Sequence, residues 1–388
     1  MSITIWKNKI KRVAIFCDFL NSLGGTEFYN TKLGILLKKI GIDVRFYIGE
    51  KPIFSYWTKM LSKEEINFYT PQKFHKSLNS RELEKEFVDR INQHFIEWKP
   101  DIIHTHPAGK LIISWIEKRY HQNIPIVATE WTTPGQETDR WYQPELPATI
   151  NSIDGFIVTC HSSYKGLINY HKYKGKIKII PHLVPYPEPN NYTIQDNNLS
   201  IGCISRLSVE KGIDFLLGGF SKLNQEIPET TLHIYGHGND KYRLQELVKC
   251  LGITNKVFFE GVYEPFIGIN KIAGRHNIFV QPSLYESIPT SILELIARKR
   301  CVIATNVGGI PELFPNQKGG ILIEKANTEE VFQKLVKLIK DTESIRNISN
   351  QAYNIFISKY DINQSFQKII SFYNVILANK DSIALKNN

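Results

Sequence analysis

The stretch Gln281-Pro-Ser-Leu-Tyr-Glu286-Ser-Ile-Pro-Thr-Ser-Ile-Leu-Glu294-Leu-Ile-Ala297 decides the fold. It follows the apolar run Asn277-Ile-Phe-Val280, which is typical of a buried strand, and passes through two prolines into a segment with the apolar period of a helix. Glu286 therefore lies on the loop between strand and helix, and Glu294 in the first turns of the helix. In open α/β sheets, ligands bind beyond the carboxyl ends of the strands, where helix starts present N–H groups. Two carboxylates at that edge suit a ligand with hydroxyl groups.

One of these carboxylates also has a structural explanation. Ser291-Ile-Leu-Glu294 matches a capping box, in which Glu294 only satisfies backbone donors at the helix start. No comparable role is available for Glu286, which lies between a strand end and Pro289 with Tyr285 beside it. Glu286 is therefore the stronger candidate for ligand contact, and a capping role for Glu294 stays open.

The length of the chain and the order of its apolar segments predict two α/β domains. The 388 residues exceed the usual size of a single core. Buried-strand patterns alternate with helical patterns on both sides of a proline-rich linker that begins at Pro181, which is typical of doubly wound parallel sheets. We predict an N-terminal domain of residues 1–185 and a C-terminal domain of residues 186–362.

Four strand ends in the second domain carry glycine, charge or both. The loop after strand 199–204 places two cations beside a helix start, an arrangement suited to a diphosphate. Two glycines after the next strand would let a nucleotide approach the backbone. A solvated surface loop explains any one of these ends, but not all four together, so we predict a nucleotide site along this edge. The four ends carry Arg206 with Lys211, Gly236 with Gly238, Glu260 with Gly261, and Gly308 with Gly309.

The first strand of the chain also leads into a glycine-rich helix start. Gly24 and Gly25 would let a ligand approach the backbone, and Thr26 is placed to cap the helix. The dinucleotide fingerprint Gly-x-Gly-x-x-Gly is absent from this turn. Further along, Pro107 ends a strand and places His106 at its carboxyl end, two residues after His104. Two histidines without a third ligand give poor support for a metal site.

Basic and aromatic residues alternate in residues 51–78. Such a segment suits a membrane interface or a cover over an acceptor site, and an insertion packed on its own domain is the simpler alternative. The net charge of +10 lies mostly in the N-terminal half, which indicates an anionic partner such as a phospholipid surface, a lipid-linked phosphate or nucleic acid. A lysine-rich background composition explains this charge equally well.

Cysteine usage and hydropathy predict a cytoplasmic protein. The five cysteines are single and show neither metal spacing nor a disulfide framework, so we expect reduced core residues. No segment approaches the roughly 20 apolar residues of a membrane-spanning helix, and the first residues do not resemble a secretory leader. The cysteines are Cys17, Cys160, Cys203, Cys250 and Cys301.

Taken together, these motifs resemble the GT-B glycosyltransferases, and within them the large retaining family often called family four. The resemblance covers nearly the whole chain, and its most specific part is the pair of glutamates with seven residues between them, preceded by the Arg/Lys loop. It implies two Rossmann-like domains facing a cleft, with a last helix in residues 363–388 that crosses back to the N-terminal domain. The motifs are Gly24 to Glu27, His104 to His106, Arg206 with Glu210 to Gly212, Gly236 to Gly238, Glu286 to Glu294, and Gly308 to Glu312.

The resemblance implies roles for the donor-side residues. Arg206 and Lys211 are expected to grip the diphosphate of a nucleotide sugar. Glu294 is expected to bind the ribose hydroxyls and Glu286 the hydroxyls of the donor sugar.

Four further residues complete the implied site. Backbone N–H groups near Ser287 and Ile288 are expected to help bind the phosphate. His106 is expected at the reaction centre, and Gly25 is expected to approach the phosphate. The chain departs from the family at Glu130-Trp131 and at Pro181-His182-Leu183, where an aromatic-glycine or histidine turn and a Pro-Asn-Gly turn are usual.

We therefore predict a retaining, metal-independent glycosyltransferase that moves a hexose or N-acetylhexosamine from a UDP- or GDP-linked donor, with no other cofactor. The expected acceptor is a glycan or a lipid-linked molecule in cell-surface polysaccharide synthesis. An anionic membrane surface is a further expected partner of the basic N-terminal domain, and nucleic acid is not. The alternatives are a GT-B nucleotide-sugar 2-epimerase and an inactive glycosyltransferase-like binding partner.

Overall fold

The computed structural model describes residues 10–18, 20, 23–49, 55–71, 80–106, 110–118, 123–135, 149–187, 193–264 and 268–384. The chain divides into two compact units. The first comprises residues up to Leu183 together with those from Asn363 onward, and the second comprises Val184–Ile362.

The first unit contains a parallel sheet of seven strands. Their spatial order is β3-β2-β1-β4-β5-β6-β7, and every pairing is parallel. The order reverses between β1 and β4, which is the doubly wound arrangement that right-handed strand–helix–strand units produce. The strands are β1 Arg12–Cys17, β2 Asp43–Ile48, β3 Asn67–Tyr69, β4 Ile102–Thr105, β5 Ile126–Glu130, β6 Gly155–Val158 and β7 Lys176–Ile179.

The second unit repeats this topology with six parallel strands. Their order is β10-β9-β8-β11-β12-β13, so the reversal falls between β8 and β11. The strands are β8 Ser200–Ile204, β9 Thr231–Tyr235, β10 Val257–Gly261, β11 Ile278–Gln281, β12 Cys301–Thr305 and β13 Ile321–Ile323.

Helices connect the strands and cover the sheets. Among the described residues, the helices of the first unit are Gly25–Lys39, Ser55–Lys63, Ser80–Trp98, Lys110–Lys118, His161–Asn169 and the last helix, Ile362–Ala384. In the second unit they are Ile213–Glu226, Lys241–Cys250, Gly268–Arg275, Thr290–Ile296, Ile310–Leu313, Thr328–Ile339 and Thr342–Lys359, with 3-10 turns at Val209–Lys211 and Pro315–Gln317.

Each unit has its own apolar core beneath its sheet. Trp115 and Phe156 are fully buried in the first core, and Leu216 and Phe220 in the second. The last helix belongs to the first unit: the hydroxyl of Tyr373 lies 2.7 Å from Nδ1 of the buried His104. The predicted fold class, two Rossmann-like domains with a last helix that returns to the first, is confirmed.

The basic and aromatic segment packs on its own unit in the part that is described. Helix Ser55–Lys63 buries Trp57 and Leu61 completely, and β3 extends the sheet at its edge. The packed insertion is therefore the correct interpretation for residues 55–71, and the rest of the 51–78 segment lies outside the described residues. The sequence did not indicate β3 or β13, because each is only three residues long.

Three local predictions are wrong. Cys250 is exposed at the end of its helix, whereas the other four cysteines are buried thiols as expected. Thr26 does not cap its helix, because the helix begins at Gly25 and its N-cap, Gly24, has no side chain. The capping role of Glu294 fails in the same way, since the N-cap of its helix is Pro289 and no side chain caps it.

Candidate functional site

Most of the candidate residues follow the strands that flank the reversal points of the two sheets. In the second unit, β8 and β11 flank the reversal, and the loops that follow them carry Lys211 and Glu286. In the first unit, β1 and β4 flank it and are followed by Gly25 and His106. Loops leaving the strands beside a reversal diverge to opposite faces of the sheet and open a crevice, which is where open α/β sheets bind ligands.

The loop after β8 is fastened to the loop after β11 through their backbones. Leu284 N–H donates to the carbonyl of Glu210 over 2.8 Å. Gly212 has φ +60, and a methyl group built on it would lie 2.2 Å from the carbonyl oxygen of Pro282. Glycine is required here both by this backbone conformation and by the close approach of the two loops.

Lys211 and Glu286 meet in a direct ion pair. Lys211 Nζ lies 2.5 Å from Glu286 Oε1, and the two side chains are only 13% and 10% exposed. The 3-10 turn Val209–Lys211 carries the lysine toward the loop after β11. A cation and a carboxylate that are both largely shielded from water interact more strongly than a surface pair, and both retain partial access to the surface. Two residues predicted for the donor site, on loops that follow different strands, are thus in direct contact.

Arg206 points elsewhere. Its side chain is 57% exposed, and its guanidinium lies 3.4 Å from Glu210 Oε1, which also accepts from the Ser208 hydroxyl. Burial tends to raise the pKa of Glu210, but the Ser208 hydroxyl, a backbone donor and the two neighbouring cations lower it overall. The carboxylate is thus ionised and holds Arg206 at the surface of the loop. The structure thus pairs Arg206 with Glu210 and Lys211 with Glu286.

Glu294 is a buried carboxyl group on helix Thr290–Ile296. Burial raises its pKa to about 7, although the Arg298 guanidinium and a hydrogen bond from Tyr263 oppose this rise. Arg298 is held by its own contacts, donating to the carbonyl of Glu294 over 2.8 Å and to Asn270 over 2.7 Å. A carboxyl group with this pKa exists as a mixture of both forms near neutral pH, so a ligand's hydroxyl groups can select the ionised form.

A second backbone contact holds the far side of the Glu286 loop. Gly309 N–H donates to the carbonyl of Ser287 over 2.8 Å. Gly308 has φ +56, and a methyl group built on it would lie 1.6 Å from the carbonyl oxygen of Glu286. The Gly308-Gly309 turn therefore supports the backbone of Glu286. Ser287 and Ile288 are buried, and the predicted contact of their N–H groups with a phosphate stays a prediction.

Gly236 and Gly238 have a packing reason for being glycine. Methyl groups built on them would lie 1.8 Å from the carbonyl oxygen of Ser205 and 2.1 Å from that of Leu207. Leu207 N–H donates to the carbonyl of His237 over 3.0 Å, so the loops after β8 and β9 are in backbone contact. Their contact with a nucleotide stays a prediction.

The histidines after β4 differ in environment. His104 is fully buried between Thr129 and Tyr373, and burial lowers its pKa to about 3, so it is a neutral core residue. β4 ends at Thr105, so His106 lies just beyond the strand, partly exposed. Burial lowers the pKa of His106, and the carboxylates of Glu130 and Asp18 counteract part of this effect. His106 is therefore mainly neutral at pH 7.

Sequence reasoning missed the polar residues that support Glu286. Ser283 and Thr305 are buried, and Gln281, the last residue of β11, is 4% exposed. Ser283 Oγ donates to Glu286 Oε1 over 2.9 Å. The available signal was their position, because polar residues directly after a buried strand lie at the ligand-binding edge of a parallel sheet.

The described residues contain no group of three or more histidine, cysteine, aspartate or glutamate side chains placed to hold a metal ion. In the same part of the chain, no helix combines the length and the apolar character needed to cross a bilayer.

Comparison with known proteins identifies both units. Residues 23–185 match the family model "Glycosyltransferase Family 4", and residues 187–355 match "Glycosyl transferases group 1". The chain is 25% identical over 354 residues to an uncharacterized glycosyltransferase of Haemophilus influenzae, covering 88% of this chain and 94% of that protein. It is 23% identical over 225 residues to a poly(ribitol-phosphate) α-N-acetylglucosaminyltransferase of Staphylococcus aureus, covering 58% of this chain and 44% of that protein.

Solved structures show the same fold. HepE of Anabaena, crystallised with UDP and glucose, superimposes with a TM-score of 0.77 at 19% identity, covering 94% of this chain and 99% of that one. At this identity the likeness concerns the fold alone, whereas the two sequence models meet at the linker and include both units. The chain therefore belongs to the group 1 glycosyltransferases of the GT-B fold.

Proposed function

We propose that this glycosyltransferase moves a hexose or N-acetylhexosamine, with retention of anomeric configuration, from a nucleotide sugar to a glycan or lipid-linked acceptor in cell-surface polysaccharide synthesis. The observation that carries the proposal is the shielded pair of Lys211 and Glu286 at the reversal point of the second sheet. One member suits a diphosphate, the other suits sugar hydroxyl groups, and both lie on loops that are locked together by backbone contacts.

Charge neutralisation is the main catalytic task of the second unit. As the bond to the donor sugar breaks, negative charge grows on the β-phosphate of the leaving nucleotide, and a fixed cation stabilises that charge. Lys211 is a cation largely shielded from water, the backbone N–H groups near Ser287 and Ile288 add dipoles, and Arg206 adds an exposed charge. This set supports a reaction without a metal ion, with the acceptor attacking the same face that the phosphate leaves.

The two carboxylates are proposed to recognise the hydroxyl groups of the donor. Glu286 is proposed to accept hydrogen bonds from the sugar hydroxyls and Glu294 from the ribose hydroxyls. In the first unit, His106 is proposed at the reaction centre and Gly25 beside the phosphate. As a mainly neutral imidazole at pH 7, His106 can both accept and donate a hydrogen bond without adding charge.

The relatives favour particular substrates. HepE was crystallised with UDP and glucose, and the staphylococcal relative is an N-acetylglucosaminyltransferase acting on poly(ribitol phosphate). These names support UDP over GDP as the donor's nucleotide and a polymeric, anionic acceptor.

An anionic membrane surface is proposed as a partner of the first unit. Strand β7 lies at the edge of the seven-stranded sheet, and four exposed lysines occur in and just before it. Lysines on an edge strand also discourage pairing with other chains, so their charge has a second explanation. They are Lys172, Lys174, Lys176 and Lys178.

The test measures transfer from UDP-sugars to acceptor glycans by Lys211→Ala and Glu286→Ala, with EDTA present and absent. Both variants are expected to lose transfer by at least about 100-fold, because each removes a group that contacts the reacting donor. Both are expected to stay folded with a lower unfolding midpoint, because each leaves one member of the shielded pair without its partner. EDTA is expected to leave wild-type activity unchanged. Full activity in both variants would refute the site assignment.

Incubation without an acceptor separates the alternatives. A transferase leaves the UDP-sugar nearly intact, whereas a 2-epimerase converts it to the epimer. A wild-type protein that binds UDP-sugars but neither transfers nor epimerises would be the inactive binding partner.

A further inference from the structure

We infer that Ser283 is a positioning residue that sets the orientation of the Glu286 carboxylate and thereby the affinity for the sugar part of the donor. The inference rests on the proposed role of Glu286. Ser283 itself is fully buried, so it acts through Glu286 and does not reach the ligand.

Glu286 Oε1 accepts from two donors on different elements. Lys211 Nζ lies 2.5 Å away on the loop after β8, and Ser283 Oγ lies 2.9 Å away on the loop after β11. Both donors engage the same oxygen atom. When a diphosphate binds, Lys211 gains a second anionic partner and its contact with Glu286 weakens. The Ser283 hydroxyl is a neutral, buried donor that a diphosphate does not attract. It therefore keeps Glu286 in place when Lys211 turns to the diphosphate.

The direction of the Ser283 hydroxyl is fixed by hydrogen-bond chemistry. An ionised carboxylate can only accept, so the single hydroxyl proton of Ser283 must point to Glu286. The serine oxygen is then an acceptor, and Gln281 Nε2 donates to it over 3.0 Å. Gln281 thus orients the serine, and the serine orients the glutamate.

The backbone of Ser283 is anchored as firmly as its hydroxyl. Thr305, the last residue of β12, donates from Oγ1 to the carbonyl of Ser283 over 2.5 Å. Gln281 ends the neighbouring strand β11, so the serine is held by the ends of two adjacent strands of the sheet. Groups attached to strand ends are positioned more accurately than groups on loops alone.

The experiment compares binding of UDP with binding of UDP-glucose and UDP-N-acetylglucosamine by calorimetry. Ser283→Ala is expected to weaken binding of the preferred UDP-sugar by about 10- to 100-fold, because a misoriented Glu286 carboxylate no longer accepts a hydrogen bond from a sugar hydroxyl. Binding of UDP, which lacks the sugar, is expected to change less than about twofold. A purely structural loosening would weaken both ligands together. Gln281→Met, which leaves the serine in place but removes its orienting donor, is expected to give a smaller loss in the same direction.

Ser349→Ala is the matched control. Ser349 is 1% exposed in the same unit, and its hydroxyl has no hydrogen-bond partner among the described residues. This variant removes a buried hydroxyl without touching Glu286 and is expected to bind both ligands like the wild type.

Each result has a defined meaning. The inference would be overturned if Ser283→Ala bound the preferred UDP-sugar as tightly as the wild type. It would also be overturned if the variant lost affinity for UDP and for the UDP-sugar by the same factor. If Glu286→Ala binds the UDP-sugar normally, the proposed role of Glu286 fails instead. If the wild type binds none of the three ligands, the proposed UDP-sugar donor is wrong.

Discussion

Replacing Glu294 by glutamine should stabilise the protein at high pH and weaken nucleotide binding at the same time. Burial raises the pKa of Glu294 from 4.5 to about 7. Between these two pH values the folded protein holds a proton that the unfolded chain has released, so this residue makes stability fall as pH rises through that window. Glutamine resembles the protonated acid in shape and charge, and therefore removes the penalty.

The size of the effect follows from the same two pKa values. At about 1.4 kcal/mol per pKa unit, full ionisation of Glu294 costs on the order of 3 kcal/mol. At pH 5.5 only part of that cost is present, and at pH 8 nearly all of it is. The stability gain of Glu294→Gln over the wild type should therefore grow by about 2 kcal/mol between pH 5.5 and pH 8.

Thermal and urea unfolding at the two pH values measure this gain, because all other titrating groups cancel between variant and wild type. Glu229→Gln, at an exposed glutamate of the same unit, is the control and should show no such growth. A gain that is equal at pH 5.5 and pH 8, or a variant less stable than the wild type at pH 8, would refute the reasoning.

Nucleotide binding tests the second half of the prediction. If the ionised carboxylate holds the ribose hydroxyls, Glu294→Gln should bind UDP about 10-fold more weakly than the wild type at pH 8 despite its greater stability. Wild-type binding should strengthen as pH rises through 7. Equal UDP affinity in both proteins at pH 8 would remove Glu294 from the ribose site.

Two further predictions concern the glycine turn and the lysine-rich edge. Gly308→Ala places a methyl group 1.6 Å from the carbonyl oxygen of Glu286 at φ +56 and should reduce transfer by about 10-fold or more. Gly252→Ala, with a similar φ of +69 and no atom within 4 Å of the new methyl group, should lose stability but keep its transfer activity. Transfer is measured at a temperature where both variants are folded, and equal activities would contradict this prediction. The double variant Lys174→Glu/Lys178→Glu should lose binding to anionic vesicles at low salt, as measured by vesicle sedimentation. The control Lys249→Glu/Lys318→Glu, in the second unit, should keep this binding. Equal binding by both variants would exclude the β7 lysines as the membrane-binding residues.

Several parts of the site followed from the sequence because they depend on local pattern. Buried strands alternate with helices along the chain, and a parallel sheet places the residues after each strand at one edge. The sequence alone therefore predicts that Glu286 after β11 and Lys211 after β8 lie at the same edge. The prolines around Glu286 and the glycine at position 212 mark loops by their backbone preferences alone.

Other features depended on contacts between residues distant in sequence, which no local pattern encodes. Ser291 and Glu294 have the spacing of a capping box. The helix begins at Thr290, however, so Ser291 lies inside the helix and not at the N-cap position that the motif requires. Gly308 is required by the backbone of Glu286, and Gly236 by that of Ser205, although the sequence gives both only as glycines near strand ends.

The stretch 281–297 shows the division most clearly. Its sequence alone determined a strand end, a loop with one carboxylate and a helix with another. Only the tertiary structure decided what each carboxylate experiences: Lys211 and Ser283 both donate to Glu286, while burial beside Arg298 and Tyr263 brings the pKa of Glu294 to about 7. The reason is physical, since charge and desolvation depend on which groups folding brings within a few ångströms, and Lys211 and Tyr263 come from segments that follow other strands of the sheet.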